Sequence, residues 1–196
     1  IFYRINGFAM FNGGGRDNIW TNNVVSESYG GHRTDRRGVD IITNTPGHDC
    51  NFLQKLNQAA GGNFKTNSAW MQAYPELANI PSDYSLWGDI KNPGGTVFSR
   101  NIGYHLFSSS KWLSEGTWGG TGALSWHAEV SNNLYGQNPL FADAAGGDFN
   151  LLANSPALAI PGFEAIPFDQ IGIRERQEAS SPAAVIVDNL SIGFST

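Results

Sequence analysis

Three short segments of this chain repeat one pattern: WTNNVV from Trp20, FSRNIG from Phe98 and VSNNLY from Val130. Each reads apolar residue, Ser or Thr, polar residue, Asn, apolar residue, so Asn23, Asn101 and Asn133 hold equivalent places. An amide set among apolar residues is costly unless its donors and acceptor are met. Asparagines stacked at successive sharp corners satisfy one another and the backbone, and Asn tolerates the left-handed geometry of such bends. Coils stacked at the ordinary strand spacing of about 4.8 Å provide that arrangement. Recurrence at irregular intervals then implies insertions between coils, and the expected fold is an all-β parallel β-helix, a solenoid. A β-sandwich would need regularly spaced strands and tight Asn-Gly turns, which are few here.

Composition agrees with a β protein. The 196 residues suffice for one domain with a sizeable core, and 24 glycines accompany 12 phenylalanines and 6 tryptophans. The net charge of -5, with no run of Lys or Arg, gives no electrostatic footprint for nucleic acid or an anionic membrane. No apolar run approaches the roughly 20 residues that span a bilayer. The lone Cys50 has no internal disulfide partner and reads as a small buried hydrophobe.

Between the first two repeats the texture changes. In DCNFLQKLNQAAGG, Asp49 or Asn51 can cap a helix whose one face carries Phe52, Leu53 and Leu56. WMQAYPELANIPSD follows as an aromatic-rich loop or short helix, so a helical insertion is expected over about 49–83. After Asn133, prolines and glycines punctuate an apolar stretch that reads as a tail closing the C-terminal end of the core. Residues 1–173 are thus expected as coils. Residues 174–196 are expected as a polar linker from Arg174 and a terminal strand, AVIVDNLSIGF, which caps the fold or begins a truncated module.

GGGRDN, the D-R-R-G at Asp35 to Gly38, YPELANIP, NPLFADAAGGDFNLLANSPAL and GFEAIPFDQIGI together resemble the C-terminal part of large secreted right-handed parallel β-helix proteins. That group includes a glycoside hydrolase family with fucosidase and xylanase members. The resemblance spans roughly residues 1–173. It implies a right-handed β-helix, an extracellular location, a polysaccharide or glycan partner, no cofactor, and further coils before Ile1. One departure concerns the residue two places before the D-x-R-G aspartate, often His in similar proteins: it is Arg33 here, with His32 one place further back.

Glycosidic cleavage uses two carboxyl groups, an acid and a nucleophile or base. Asp17 and Asp35 lie about one coil apart and are the candidate pair, with Arg16, Arg37 and His32 as substrate-binding neighbours. The competing structural reading makes Asp17 a turn cap paired with Arg37. Trp112 and Trp118, in KWLSEGTWGGTGALSW, can stack on the apolar faces of sugars or serve as core, and Glu115 between them is a further carboxylate candidate. Asp143 and Asp148 read as turn caps rather than calcium ligands. His32, His48, His105 and His127 lack metal-ligand spacing, so no metal is expected. The sequon at Asn189 fits a secreted surface.

Two functions follow. One is an extracellular carbohydrate-active enzyme fragment, glycoside hydrolase-like and less readily a lyase. The other is a structural or adhesive β-helix, a filament subunit without catalysis. The second rests on the strand-like start at Ile1, which exposes unpaired backbone to missing coils or to another copy of the chain.

Overall fold

The computed structural model describes residues 1–171. The expected linker, the terminal strand and the Asn189 sequon lie outside the described residues. The chain divides into Ile1–Ile166 and Pro167–Thr196. In the second unit the described residues form a single 3₁₀ turn, Phe168–Gln170.

The first unit is mostly parallel β-sheet with few helices. Its strands are β1 (Phe2–Tyr3), β2 (Phe8–Gly13), β3 (Ile19–Thr21), β4 (Val24–Ser26), β5 (Gly30–Asp35), β6 (Val97–Ser99), β7 (Ile102–Tyr104), β8 (Leu113–Glu115), β9 (Glu129–Ser131) and β10 (Leu134–Tyr135). The chain deals them in strict rotation to three sheets, β1-β4-β7-β10, β2-β5-β8 and β3-β6-β9. Every pairing within these sheets is parallel.

The repeated asparagines stand at the three corners that lead from the β3-β6-β9 sheet into the four-stranded one. Asn101 Oδ1 accepts the backbone N–H and the Nδ2 of Asn23, each at 3.0 Å. Asn133 Oδ1 accepts the same two groups of Asn101 at 2.9 and 3.1 Å. The left-handed residue of each corner is not the ladder asparagine but the one before it: Asn22 (φ 57°), Arg100 (φ 55°) and Asn132 (φ 51°). The ladder side chains therefore meet the need of a buried amide while their neighbours absorb the bend.

Alternation along β4 and β7 separates two cores. Val25 joins Met10, Phe98 and Trp112 in one cluster, whereas Val24 joins Ile102 and Ala157 in another. The second cluster is completed by Phe141, Leu151, Ile160 and Phe163. The post-Asn133 segment thus lies across the second face of the four-stranded sheet instead of closing the end of the core. Physical necessity explains this correction, because β4 and β7 are apolar on both faces and a strand of that kind must be covered on both. Within this segment β11 (Phe141–Asp143) and β12 (Asp148–Leu151) pair antiparallel. Asp143 accepts from the Gly146 N–H at 3.0 Å and Asp148 from the Asn150 N–H at 3.0 Å, so both are turn caps.

The excursion between β5 and β6 begins earlier and ends later than 49–83. It contains α1 (Arg37–Ile41), α2 (Phe52–Ala59), α3 (Ser68–Ala73) and 3₁₀ turns as far as Asp89–Lys91. Asn51 caps α2, accepting from the Gln54 N–H at 3.1 Å. Leu53, Phe64 and Trp87 give the excursion a small core of its own, closed by Ile42, Leu56, Trp70 and Ile80. Cys50 is half-buried rather than a core residue.

Candidate functional site

Strand alternation sorts β5 into two sets. His32 and Thr34 face the interior, in register with Met10 and Asn12 on β2 and with Leu113 and Glu115 on β8. Arg33 and Asp35 face the other way, in register with Phe11 and Gly13. There they line a groove of about 610 Å³ together with Phe8, Phe11, Arg37, Gly116, Thr117 and Trp118.

Asp35 is the chemical centre of this groove. It is only 3% exposed. Arg37 Nη2 donates to its Oδ2 at 2.6 Å, Arg37 Nε lies at 2.9 and 3.1 Å from the two oxygens, and the Arg37 backbone N–H donates to Oδ1 at 3.1 Å. The hydrogen bond to Asp35 raises the Arg37 pKa further above its ordinary value. The same guanidinium lies 4.9 Å from the ring centre of Phe11 and 4.6 Å from that of Trp118. Trp118 remains 52% exposed beside it.

The triple glycine that precedes Arg16 makes room for this arrangement. A Cβ on Gly13 would meet the Arg37 guanidinium at 3.1 Å, and one on Gly14 would meet the Gly38 backbone nitrogen at 2.7 Å. Gly14 also has φ 77°, which a side chain resists. Close backbone approach, not loop mobility, accounts for the run.

Asp17 is not part of the groove. It adopts φ 58°. Its N–H donates to the Gly94 carbonyl at 2.8 Å. Arg16 Nε holds its Oδ2 at 2.6 Å. Arg16, not Arg37, is therefore its partner. Asp17 lines a different cleft, of about 480 Å³, with Leu56, Trp70, Tyr74, Glu76, Leu77 and Ile80. The two aspartates proposed as an acid–base pair open onto separate cavities.

Two more expected contacts with substrate are corrected by burial. His32 is 0% exposed, with its ring 5.0 Å from that of Phe98 and 5.7 Å from those of Trp20 and His127. Burial, aided by His127, pushes its pKa down to about 3. Trp112 is 9% exposed, stacks on Tyr135 at 5.8 Å and meets Phe98 edge-on at 5.4 Å. His32 belongs to the core because its position on β5 alternates inward, whereas Trp112, the residue just before β8, enters the core between Gly31 and Gly103. Glu115 shares the inward register, and its oxygens accept the N–H groups of Gly122 (3.0 Å) and Leu124 (2.7 Å), which clamps a loop.

Of the residues singled out from sequence, Asp35, Arg37 and Trp118 come together in the groove; Arg16 and Asp17 pair elsewhere. Sequence reasoning gave no groove role to Phe8, Phe11, Arg33 or Thr117. The signal for Arg33 was present in GGHRTD, where positions two apart must share a face. Among the described residues no group of three or more His, Cys, Asp or Glu is gathered as a metal site. Among them too, no helix is long and apolar enough to cross a membrane.

The fold and groove define a parallel β-sheet protein carrying an aromatic and cationic surface site. No protein-family model matches the chain, and no curated protein or solved structure matches it significantly.

Proposed function

We propose that the three sheets are the walls of a right-handed parallel β-helix and that the groove on the β2-β5-β8 wall binds polysaccharide. The chain is then part of an extracellular carbohydrate-active protein of the glycoside hydrolase-like kind it resembles in sequence. The strict rotation of strands among three parallel sheets supports the fold reading. The observation that carries the function is the half-exposed Trp118 beside the Arg37–Asp35 pair: a flat apolar face next to fixed polar groups suits a sugar ring.

Binding is favoured over hydrolysis. Hydrolysis by acid and base needs two carboxyl groups about 5–10 Å apart on either side of the bond. The groove lining contains one, Asp35, and Arg37 occupies both its oxygens. Affinity electrophoresis of the chain through gels containing fucosylated or xylan-type polysaccharide tests the reading. Retardation that Trp118→Ala abolishes supports it; unretarded wild-type protein in every gel overturns it.

A further inference from the structure

We infer that the groove selects acidic saccharides, those bearing a carboxylate or a sulfate, and that Arg33 is the residue that reads the charge. This rests on the saccharide-binding function proposed above. The groove lining carries two guanidinium groups, Arg33 and Arg37, and one carboxylate, Asp35. Arg37 and Asp35 neutralise each other through a short ion pair of 2.6 Å. Arg33 is left over.

The Arg33 side chain makes no hydrogen bond or ion pair to any described residue. Its Nε is buried and unpartnered. Its guanidinium carbon lies 5.4 Å from the ring centre of Phe8, a contact that orients the cation without neutralising it. A buried N–H donor without an acceptor is unfavourable, and a ligand that supplies an acceptor removes the cost. An anionic oxygen does so best, because guanidinium forms its strongest hydrogen bonds with carboxylate and sulfate-like groups. The excess positive charge stands in a chain of net charge -5, so the groove is a local exception to the field around it. Aromatic stacking on Trp118 and Phe11 holds the ring, and Arg33 then discriminates the substituent.

Calorimetric titration with three tetrasaccharides tests the inference: tetragalacturonate, a chondroitin sulfate tetrasaccharide and the neutral xylotetraose. Either acidic ligand, or both, should bind about tenfold tighter than xylotetraose at low salt, with the gap closing as salt is added. Which of the two is preferred tells carboxylate from sulfate. Arg33→Gln should erase the preference while leaving xylotetraose binding in place, and Arg33→Lys should keep part of it; circular dichroism verifies that both variants fold. Equal binding of all three by wild type, or an acidic preference that survives in Arg33→Gln, overturns the inference and leaves saccharide binding standing. Failure of wild type to bind any of the three overturns saccharide binding, and binding that Trp118→Ala leaves unchanged overturns the groove as its site; either result takes the inference with it.

Discussion

Gly103 lies flat against the indole of Trp112: a Cβ at that position would meet ring atoms at 2.5 and 2.7 Å. Gly31, on β5 in a different sheet, is equally close, with ring atoms at 2.3 and 2.7 Å and the Trp112 carbonyl at 2.6 Å. The two glycines form a slot that admits one large ring into a narrow interior. Overpacking of this kind costs about 1–3 kcal/mol, or more where backbone is struck. Gly103→Ala should therefore lower the urea midpoint, and a Trp112→Leu background should recover most of that particular loss, since only the side chain is in the way. Gly31→Ala should be rescued much less, because the obstructing carbonyl remains. A double-mutant cycle on each pair checks the difference.

The asparagine ladder makes a second graded prediction. Asn101 is 0% exposed and is the middle rung, accepting two hydrogen bonds from Asn23 and donating to Asn133 and to the Trp20 carbonyl at 2.8 Å. Asn101→Ala takes the acceptor from the Asn23 backbone N–H and the amide donor from the Trp20 carbonyl, while Asn133 Oδ1 keeps only the Asn101 backbone N–H. Each orphaned group costs about 1–3 kcal/mol, so a total loss of about 3 kcal/mol or more is expected. Asn133 is the terminal rung, only partly buried, and Asn133→Ala should cost less. Denaturant unfolding of the two variants orders them; equal losses would contradict a ladder.

The ladder was legible because three asparagines in one local pattern have a single economical explanation, stacking. The parallel sheets followed from it. Other features were hidden by the period of a strand. Arg33 and Asp35 differ from His32 and Thr34 only in parity, and nothing in GGHRTD alone says which parity is inside. The core position of Trp112 depended on Gly31 and Gly103, which are far from it in sequence and become its slot only in register. The tail was recognised as apolar, yet its destination was set by the Val24–Val25 doublet, which demands cover on both faces of β4. The different surroundings of Asp17 and Asp35 were hidden because the residues that share the Asp17 cleft, among them Trp70 and Tyr74, come from the distant excursion.

Acid should weaken the fold through His32. Its pKa in the folded protein is about 3, against 6.5 for the free side chain, so in that window the unfolded chain takes up a proton that the buried ring refuses. Stability is complete above 6.5 and falls on acidification by about 1.4 kcal/mol per pH unit until the folded ring also titrates. His127, lowered by burial as well, adds to the same slope. Unfolding midpoints followed across the window should drop steeply for wild type and more gently for His32→Leu, which removes the larger proton-linked group. A variant slope equal to wild type would assign the acid sensitivity to other groups.

The separate cavities of Asp17 and Asp35 lead to opposite expectations for the same chemical change. Asp35→Asn removes the charge complement of Arg37 and replaces one carboxylate oxygen by an amide NH2 that meets the guanidinium donor to donor. Arg37 is then no longer fixed between Phe11 and Trp118, and the stacking surface loses its support. Saccharide affinity should fall about tenfold or more, a loss of about 1.4 kcal/mol. Asp17→Asn weakens only the pair with Arg16 at the other cleft. It should leave groove affinity within about twofold while costing no more than about 1 kcal/mol of stability, as partly exposed ion pairs do. Titration of both variants with one saccharide ligand separates the outcomes. If the two aspartates instead served one bond as acid and base, both substitutions would abolish turnover together while leaving ground-state binding largely intact, a pattern that the groove geometry does not predict.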